Sequence, residues 1–456
     1  MTLRQVLVAN RGEIAVRVVR ACADEGLRSV VAVSEADRES RAALVADQAV
    51  CIGPASATDS YLDIGRVVAA ALGTGCDAVH PGYGFLAERP ELAEACAEHG
   101  LVFVGPPADA IRRGGDKAVA RELAESLGIP VGEGSDTLAD AVQARAVADG
   151  IGYPVVLKAA AGGGGRGMVR VDSGEQLSEA FGRATHEAQQ AFGDGRMYLE
   201  RFITRARHVE VQVLADHHGG IVHLGERDCS TQRRYQKLIE EAPARAVPEE
   251  IRRDLCAAAV ELCRALDYVG AGTVEFVVDV DRGIWSFLEV NTRVQVEHPV
   301  TEMVTGIDIV RAQLAIAGGD RLPVRQSDVL LRGHAVEVRV NAEDPRQDFA
   351  PVPGLVSRWV EPVGGGLRID THVFGGYRIP PHYDSLLAKV IAHGPDREAA
   401  LDRLDRGLAH LVIEGVPTTA ELLRAVLGAE EFRAERHHTR WIEQEFLPEW
   451  RGAPAA

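Results

Sequence analysis

The chain is 456 residues long with 46% hydrophobic and 26% charged residues, an ordinary globular composition with length for two to four domains. Its formal net charge of −17 argues against nucleic acid or an anionic membrane surface as the main partner, while leaving room for a local basic pocket that holds an anion. The opening MTLRQVLVANRG lacks an apolar signal core and no run reaches the length of a membrane span. With seven cysteines and no C-x-x-C pair, this gives the expectation of buried thiols in a cytoplasmic compartment.

From the N-terminus, QVLVAN, RGEIAVRVVRACADEG and SVVAVS read as strand, helix and strand, with Ile14, Val18 and Cys22 on one helical face. DAVHPGYGF, ELAEACAEHG and LVFVGP continue the alternation, which predicts a parallel sheet covered by helices. DKAVARELAESLG reads as a helix with Asp116 as N-cap, Val119, Leu123 and Leu127 as buried stripe, and Gly128 as terminator. Lys117 falls in its first turn, where the helix dipole disfavours a cation; either a nearby anion offsets that cost or the lysine is solvated.

KAAAGGGGRGM, 158–168, contains a formal dinucleotide fingerprint at Gly162, Gly164 and Gly167. The fingerprint needs a strand before it and a helix on its last glycine. YPVVLK supplies the strand, but MVRV, another short strand, follows the loop. The next helix begins at Ser173, where Ser173 and Gln176 form a capping-box pattern ahead of LSEAFGRATHEAQQAF. The loop therefore reads as a flap between two strands, baring amides to a polyphosphate that Lys158 meets from below. A flexible linker is the alternative, though linkers are seldom framed by two apolar strands.

GTVEFVVDVDRGIWSFLEVNTRVQVEHP, 272–299, reads as two strands around a loop of Asp281, Arg282 and Gly283. That register sets Glu275 opposite Glu289, with Val274, Phe276, Val278, Leu288 and Val290 on the dry face. Carboxylates about 5 Å apart repel by roughly 3 kcal/mol at an effective dielectric of about 20, so the pairing implies a bound cation or a shared proton. All-oxygen ligands favour Mg²⁺ carrying a nucleotide; a slipped register and a solvated face is the alternative. The same face continues through Asn291, Arg293, Gln295 and Glu297, where Arg293 suits a small oxyanion and would keep Glu297 ionised as a base. Further on, HAVEVRVNAEDP through PPHYDSLLAKVIAHG is β-rich, and closing helices surround ELLRAVLG and RWIEQEF.

These stretches, together with ANRGEIAVR, HPGYGFL, RHVEVQVLAD, ERDCSTQRR and EEAP, resemble biotin carboxylase, an ATP-grasp enzyme, over essentially the whole length. RVQVEHPVTE with HAVEVRVNAEDP is the specific part; ATP-grasp features alone fit many ligases. The resemblance implies an α/β and α+β multidomain fold: a Rossmann-like N-terminal domain at 1–115, an ATP-grasp central domain at 116–330 with a glycine-flap lid at 131–203, and a β-rich C-terminal domain at 331–447. Residues 448–456 are expected to be a disordered tail.

For the site, the resemblance implies that Lys117, Lys158 and the amides of Gly164 and Gly165 hold ATP phosphates. His208 would lie near the ribose, and the Glu200 to Ile203 strand would present backbone to adenine. Glu275, Glu289 and Asn291 would ligate Mg²⁺ (or Mn²⁺), and Lys237 would sit by the γ-phosphate. Arg293, Gln295 and the Val296 amide would hold bicarbonate, whose proton Glu297 takes to give carboxyphosphate. Tyr83 would face biotin, and Arg339 would stabilise its enolate oxygen. Some relatives have Glu-Lys at Glu200-Arg201 and histidine at Tyr235, and Ala161 replaces one glycine of a longer run.

No methionine is followed by lysine, so the resemblance implies a separate biotin carboxyl carrier protein and carboxyltransferase, as in an acetyl-CoA or acyl-CoA carboxylase. It also implies a homodimer, for which Arg17 and Arg20 are candidate interface residues or simply a solvated helix face. The other readings are the corresponding subunit of a pyruvate or urea carboxylase, another ATP-grasp carboxylate–amine ligase, and a nucleotide-binding regulatory subunit.

Overall fold

A computed structural model describes residues 3–161 and 167–452. The expected N-terminal alternation forms a five-stranded parallel sheet in the order Gln48–Gly53, Arg28–Ser34, Gln5–Val8, Ala78–His80, Val102–Phe103. Alternate side chains enter separate cores: Val6 and Val8 pack with Ile14, Val18 and Cys22 of helix Gly12–Asp24, whereas Leu7 and Ala9 pack with Tyr61 and Val67. Helices therefore cover both faces, as a parallel sheet requires.

Arg17, a candidate for an exposed interface, is instead buried and paired with Glu302 at 3.0 Å and with Asp308. Its helix packs against the body of the same chain through helix Ile309–Ala317; only Arg20 of the two is exposed. Asp116 caps helix Lys117–Ser126 as expected, accepting from Ala118 N at 2.9 Å. Leu123 and Leu127 of the expected stripe pack against the core beside the fully buried Ala120 and Ala124, whereas Val119 is 40% exposed. Close packing of the helix on its neighbours selects the small residues.

The lid is a three-stranded antiparallel sheet, Met168–Val171, Val155–Ala159, Met197–Arg201, backed by helices Ala141–Ile151 and Gly174–Phe192. Val155, Leu157 and Ala159 face its core, leaving Val156 and Lys158 toward the cavity below. Ser173 is an N-cap by backbone only. Gln176 reaches back to the Asp172 amide at 3.3 Å, one residue earlier than a capping box would.

The largest element is one antiparallel sheet of eight strands: Ile284–Asn291, Gly270–Asp279, Arg207–Ala215, Ile221–Arg233, Gln236–Ala242, His334–Asn341, Leu386–Gly394 and Leu367–Thr371. The seam between Gln236–Ala242 and His334–Asn341 joins the strands of 207–291 to the C-terminal ones in a single ladder. One face is apolar: Val209, Val211, Val274 and Phe276 pack on helix Glu249–Ala265, and Val336, Val338 and Val340 pack with Leu401 and Leu404 of helix Arg397–His410. The opposite face carries His208, Glu210, Glu275, Glu240, Glu337, Arg339 and Lys389, by strict alternation.

Residues 448–452, expected in a disordered tail, belong to helix Leu447–Gly452, whose Leu447 is buried and whose Trp450 packs on the C-terminal core. Residues 453–456 lie outside the described residues. No helix among the described residues is long and apolar enough to cross a membrane.

Candidate active site

The hairpin does pair Glu275 directly with Glu289, but by a different route from the one the loop suggests. The ladder closes at Asp279↔Ile284, so the loop holds four residues, and a bulge at Leu288 restores the register between Phe276↔Phe287 and Glu275↔Glu289. Phe287 consequently enters the core in place of Leu288, which lines the cavity. The strand ends at Asn291, and 292–297 runs on as irregular chain into helix His298–Thr305.

Lid, hairpin and sheet enclose a cavity of about 1150 Å³, and every described candidate residue lines it. Gly164 and Gly165 lie outside the described residues. At the lid side, Lys158 is buried and paired with Glu200, which also accepts from Arg121 at 2.9 Å. The Glu200 side chain thus organises cations, while Ile203 follows on the rim. Arg201 pairs with Glu133 at 2.5 Å, and Tyr235 is half exposed at the same rim. Lys117 finds its anion in Glu289 at 2.8 Å, and this pair outweighs the burial that opposes its charge, holding the ammonium above its ordinary range.

At the floor, Lys237 Nζ donates to Glu297 at 2.5 Å, Glu210 at 2.7 Å and Glu275 at 3.1 Å. Arg339 donates to the other oxygen of Glu297 at 2.8 Å and to Glu240 at 2.6 Å. Burial pushes the Glu297 carboxyl up, but Lys237, Arg339 and Arg227 outweigh it and hold it well below the usual range. His208 Nε2 lies 2.7 Å from Glu275; burial opposes the imidazolium, yet Glu275 raises its pKa above the ordinary value. Arg293 meets Glu88 at 3.1 Å, Gln295 Oε1 at 2.7 Å and Asn291 Oδ1 at 3.1 Å. Gln295 donates to Glu275 at 3.3 Å, and the Val296 carbonyl accepts from Lys389 at 2.8 Å.

Tyr83 reaches the cavity on a loop shaped by Gly82, where φ is +63° and a Cβ would meet the Asn10 amide nitrogen at 2.8 Å. Asn10 in turn donates to the Pro81 and Tyr83 carbonyls, each at 2.7 Å. The Tyr83 hydroxyl donates to Glu13 at 2.5 Å, and the residue lines the cavity.

The sequence reading missed Glu210, Arg227, Glu240 and Lys389. Arg227 is fully buried and forks to Glu210 at 2.5 Å and Gln212 at 2.8 Å. The signal was present in RHVEVQVLAD, where His208, Glu210 and Gln212 alternate with Val209, Val211 and Val213. Cys229 is buried with its thiol pushed well above its ordinary pKa by burial, in keeping with a packing role.

Glu275 and Glu289 are paired across the hairpin and Asn291 Nδ2 donates to Glu275 at 2.9 Å; the oxygens of the three are held by Lys237, Lys117 and Arg293 in this structure, and such a hard oxygen set fits Mg²⁺ or Mn²⁺. A lidded cavity with lysines above and metal-type carboxylates below defines an enzyme that handles a nucleotide polyphosphate in the ATP-grasp manner. Residues 2–111 match the family described as "Biotin carboxylase, N-terminal domain", 116–325 match "Carbamoyl-phosphate synthase L chain, ATP binding domain", and 337–444 match "Biotin carboxylase C-terminal domain". The chain is 51% identical over 422 residues to the biotin carboxylase of Pseudomonas aeruginosa, covering 92% of this chain and 93% of that one. It is 47% identical over 445 residues to that of Nostoc, covering 97% and 99%. At 44% identity it superposes with a TM-score of 0.95 on the biotin carboxylase domain dimer of Hydrogenobacter thermophilus 2-oxoglutarate carboxylase, a crystal structure with MgADP, ADP and bicarbonate, over 100% of both chains. The chain belongs to the biotin carboxylase family.

Proposed function

We propose that this protein carboxylates biotin on a separate carrier protein, using ATP and bicarbonate, as the first half-reaction of an acyl-CoA carboxylase or a related carboxylase. The observation that carries the reading is Glu297, a buried carboxylate held between Lys237 and Arg339 at the cavity floor. In the free protein those two cations make Glu297 a weak base. Both belong to partners that the substrates replace: Lys237 turns to the transferring phosphate, and Arg339 to the ureido oxygen of biotin. As they leave, the Glu297 pKa rises and it becomes competent to take a proton.

In the first step bicarbonate, held by Arg293, Gln295 and Val296, loses its proton to Glu297 while its oxygen attacks the γ-phosphorus. The new O–P bond replaces the bond to ADP and yields carboxyphosphate. Breakdown gives CO₂ and phosphate; phosphate removes the N1′ proton of biotin, Arg339 stabilises the charge on the ureido oxygen, and N1′ bonds to CO₂. Lys117 and Lys158 hold phosphates, with His208, Glu200 and Ile203 around the nucleoside. Mg²⁺ bound by Glu275, Glu289 and Asn291 would supply charge neutralisation of the polyphosphate. Tyr83 lines the biotin side. A carrier, a carboxyltransferase and a second copy of this chain are the proposed partners.

The test is phosphate release from ATP with Mg²⁺, with bicarbonate and free biotin added separately and together. Dependence on bicarbonate, stimulation by biotin and ¹⁴C-carboxybiotin formation support the reading. Release that ignores both and responds to an amine or another acid makes this a different ATP-grasp ligase.

A further inference from the structure

Behind Arg339 lies a pair of acids that the proposed reaction does not use. Glu240 and Glu337 stand directly opposite each other across the seam of the eight-stranded sheet, and both are fully buried. One oxygen of Glu240 accepts from Arg339 Nε at 2.6 Å. Its other oxygen and both oxygens of Glu337 have no hydrogen-bond partner among the described residues. Directly opposed side chains in an antiparallel pair have Cβ atoms about 5 Å apart, within reach of a carboxyl–carboxylate hydrogen bond.

An ionised Glu337 without a donor in this setting is physically untenable, because desolvation of an unpaired charge exceeds any remaining attraction. On that face an apolar cluster of Ala242, Ala335 and Ile391 of the sheet with Val300 and Val304 of helix His298–Thr305 adjoins it. The charged groups around it are committed elsewhere. Lys389 serves Glu13 and the Val296 carbonyl, and Arg339 serves Glu240 and Glu297. On the facing helix His298 Nδ1 is bound to the Gln295 carbonyl, Glu302 to Arg17 and Arg368; Asp370 beyond Lys389 is held by Arg368. Burial accordingly raises the Glu337 carboxyl well above its ordinary range, against the pull of Lys389.

We propose that Glu337 is a neutral positioning residue whose proton is hydrogen-bonded to the free oxygen of Glu240, so that Glu240 stays ionised, in one orientation, and fixes Arg339 beside Glu297. The catalytic part of this proposal rests on the biotin-carboxylation reading; the proton does not. A third ionised acid would leave one guanidinium facing three carboxylates, whereas a neutral Glu337 supplies the donor that Glu240 lacks. Arg339 is then anchored at Nε, and its Nη2 edge is what exchanges Glu297 for an incoming oxygen.

Two measurements test this. Infrared difference spectra of wild type against Glu337→Gln at neutral pH should show a protonated-carboxyl C=O band that the variant lacks and that persists into alkali. In turnover, Glu337→Gln, which keeps the shape and donates N–H, should hold kcat at the wild-type order, while Glu337→Leu should lower kcat by about tenfold or more with KM for ATP unchanged. Absence of the band, equal damage by Gln and Leu, or full activity in the Leu variant would each overturn the proposal. If wild type shows no biotin-dependent turnover, the functional reading fails, and the infrared band still decides the state of Glu337.

Discussion

Lys237 Nζ lies 2.5 Å from Glu297 Oε1 although 60 residues separate them, and the contact joins the strand beneath the nucleotide cavity to the start of helix His298–Thr305. The same ammonium also holds Glu210 and Glu275, so one charge ties the proposed base to the proposed metal ligands.

Glu297→Gln keeps the shape and the bond to Arg339 but removes the proton acceptor. Bicarbonate-dependent phosphate release should fall by roughly 10²–10⁴-fold. Nucleotide binding, measured by calorimetry, should be close to wild type, because no phosphate or base contact is proposed for this side chain. A variant with near-normal turnover would assign the proton transfer elsewhere.

Lys237→Met leaves three buried carboxylates facing one another. Breaking a buried pair of this kind costs about 3–5 kcal/mol, read as a drop in Tm. The pH dependence should also invert. In wild type, Glu297 has a depressed pKa, so its contribution is present above the unfolded value of about 4.3 and is lost as pH falls toward the folded one. Without Lys237 a carboxyl of this group takes up a proton, its pKa is raised, and stability should fall as pH rises. Thermal melts of both proteins between acid and neutral pH decide the sign.

His208 and Glu275 couple metal binding to protons. The raised His208 pKa means that its ion pair stabilises the free protein fully below about 6.5 and fades as pH rises through the folded value. A metal taking Glu275 removes the partner and lowers that pKa, so Mg²⁺–nucleotide binding should release a proton and tighten with rising pH over this window. Calorimetry in buffers of different ionisation enthalpy measures the release, and His208→Asn should abolish it.

Arg17 and Arg20 should separate stability from association. Arg17→Ala leaves Glu302 and Asp308 without this partner inside the fold and should lower Tm, with a loss of about 3–5 kcal/mol. Arg20→Glu alters only an exposed charge, so any shift from dimer to monomer in analytical ultracentrifugation should come with little change in Tm. A dimer unaffected by Arg20→Glu would place the interface away from this residue.

The hairpin shows both the reach and the limit of reasoning from residues. Alternation and a turn glycine predict Glu275 opposite Glu289, and they meet, yet the four-residue loop and the bulge at Leu288 were illegible. Two offsetting irregularities leave the same pairing, and only their side effect, Phe287 in the core and Leu288 in the cavity, distinguishes them. Helix Lys117–Ser126 erred in the other direction: periodicity favours the larger Val119, but the packing distance admits Ala120 and Ala124.

By itself the sequence determined the element order and the polar and apolar faces of the strands, because those depend on local period and residue type, and its resemblance to the family named the candidate site residues. Tertiary structure decided what each charge does in the free protein. Lys158 rests on Glu200, Lys117 on Glu289, Arg17 inside the fold, and Glu240 faces Glu337 across a seam between segments about a hundred residues apart in the chain. Charge partners are set by which strands become neighbours, and burial then fixes their protonation through desolvation, a quantity that no single segment contains.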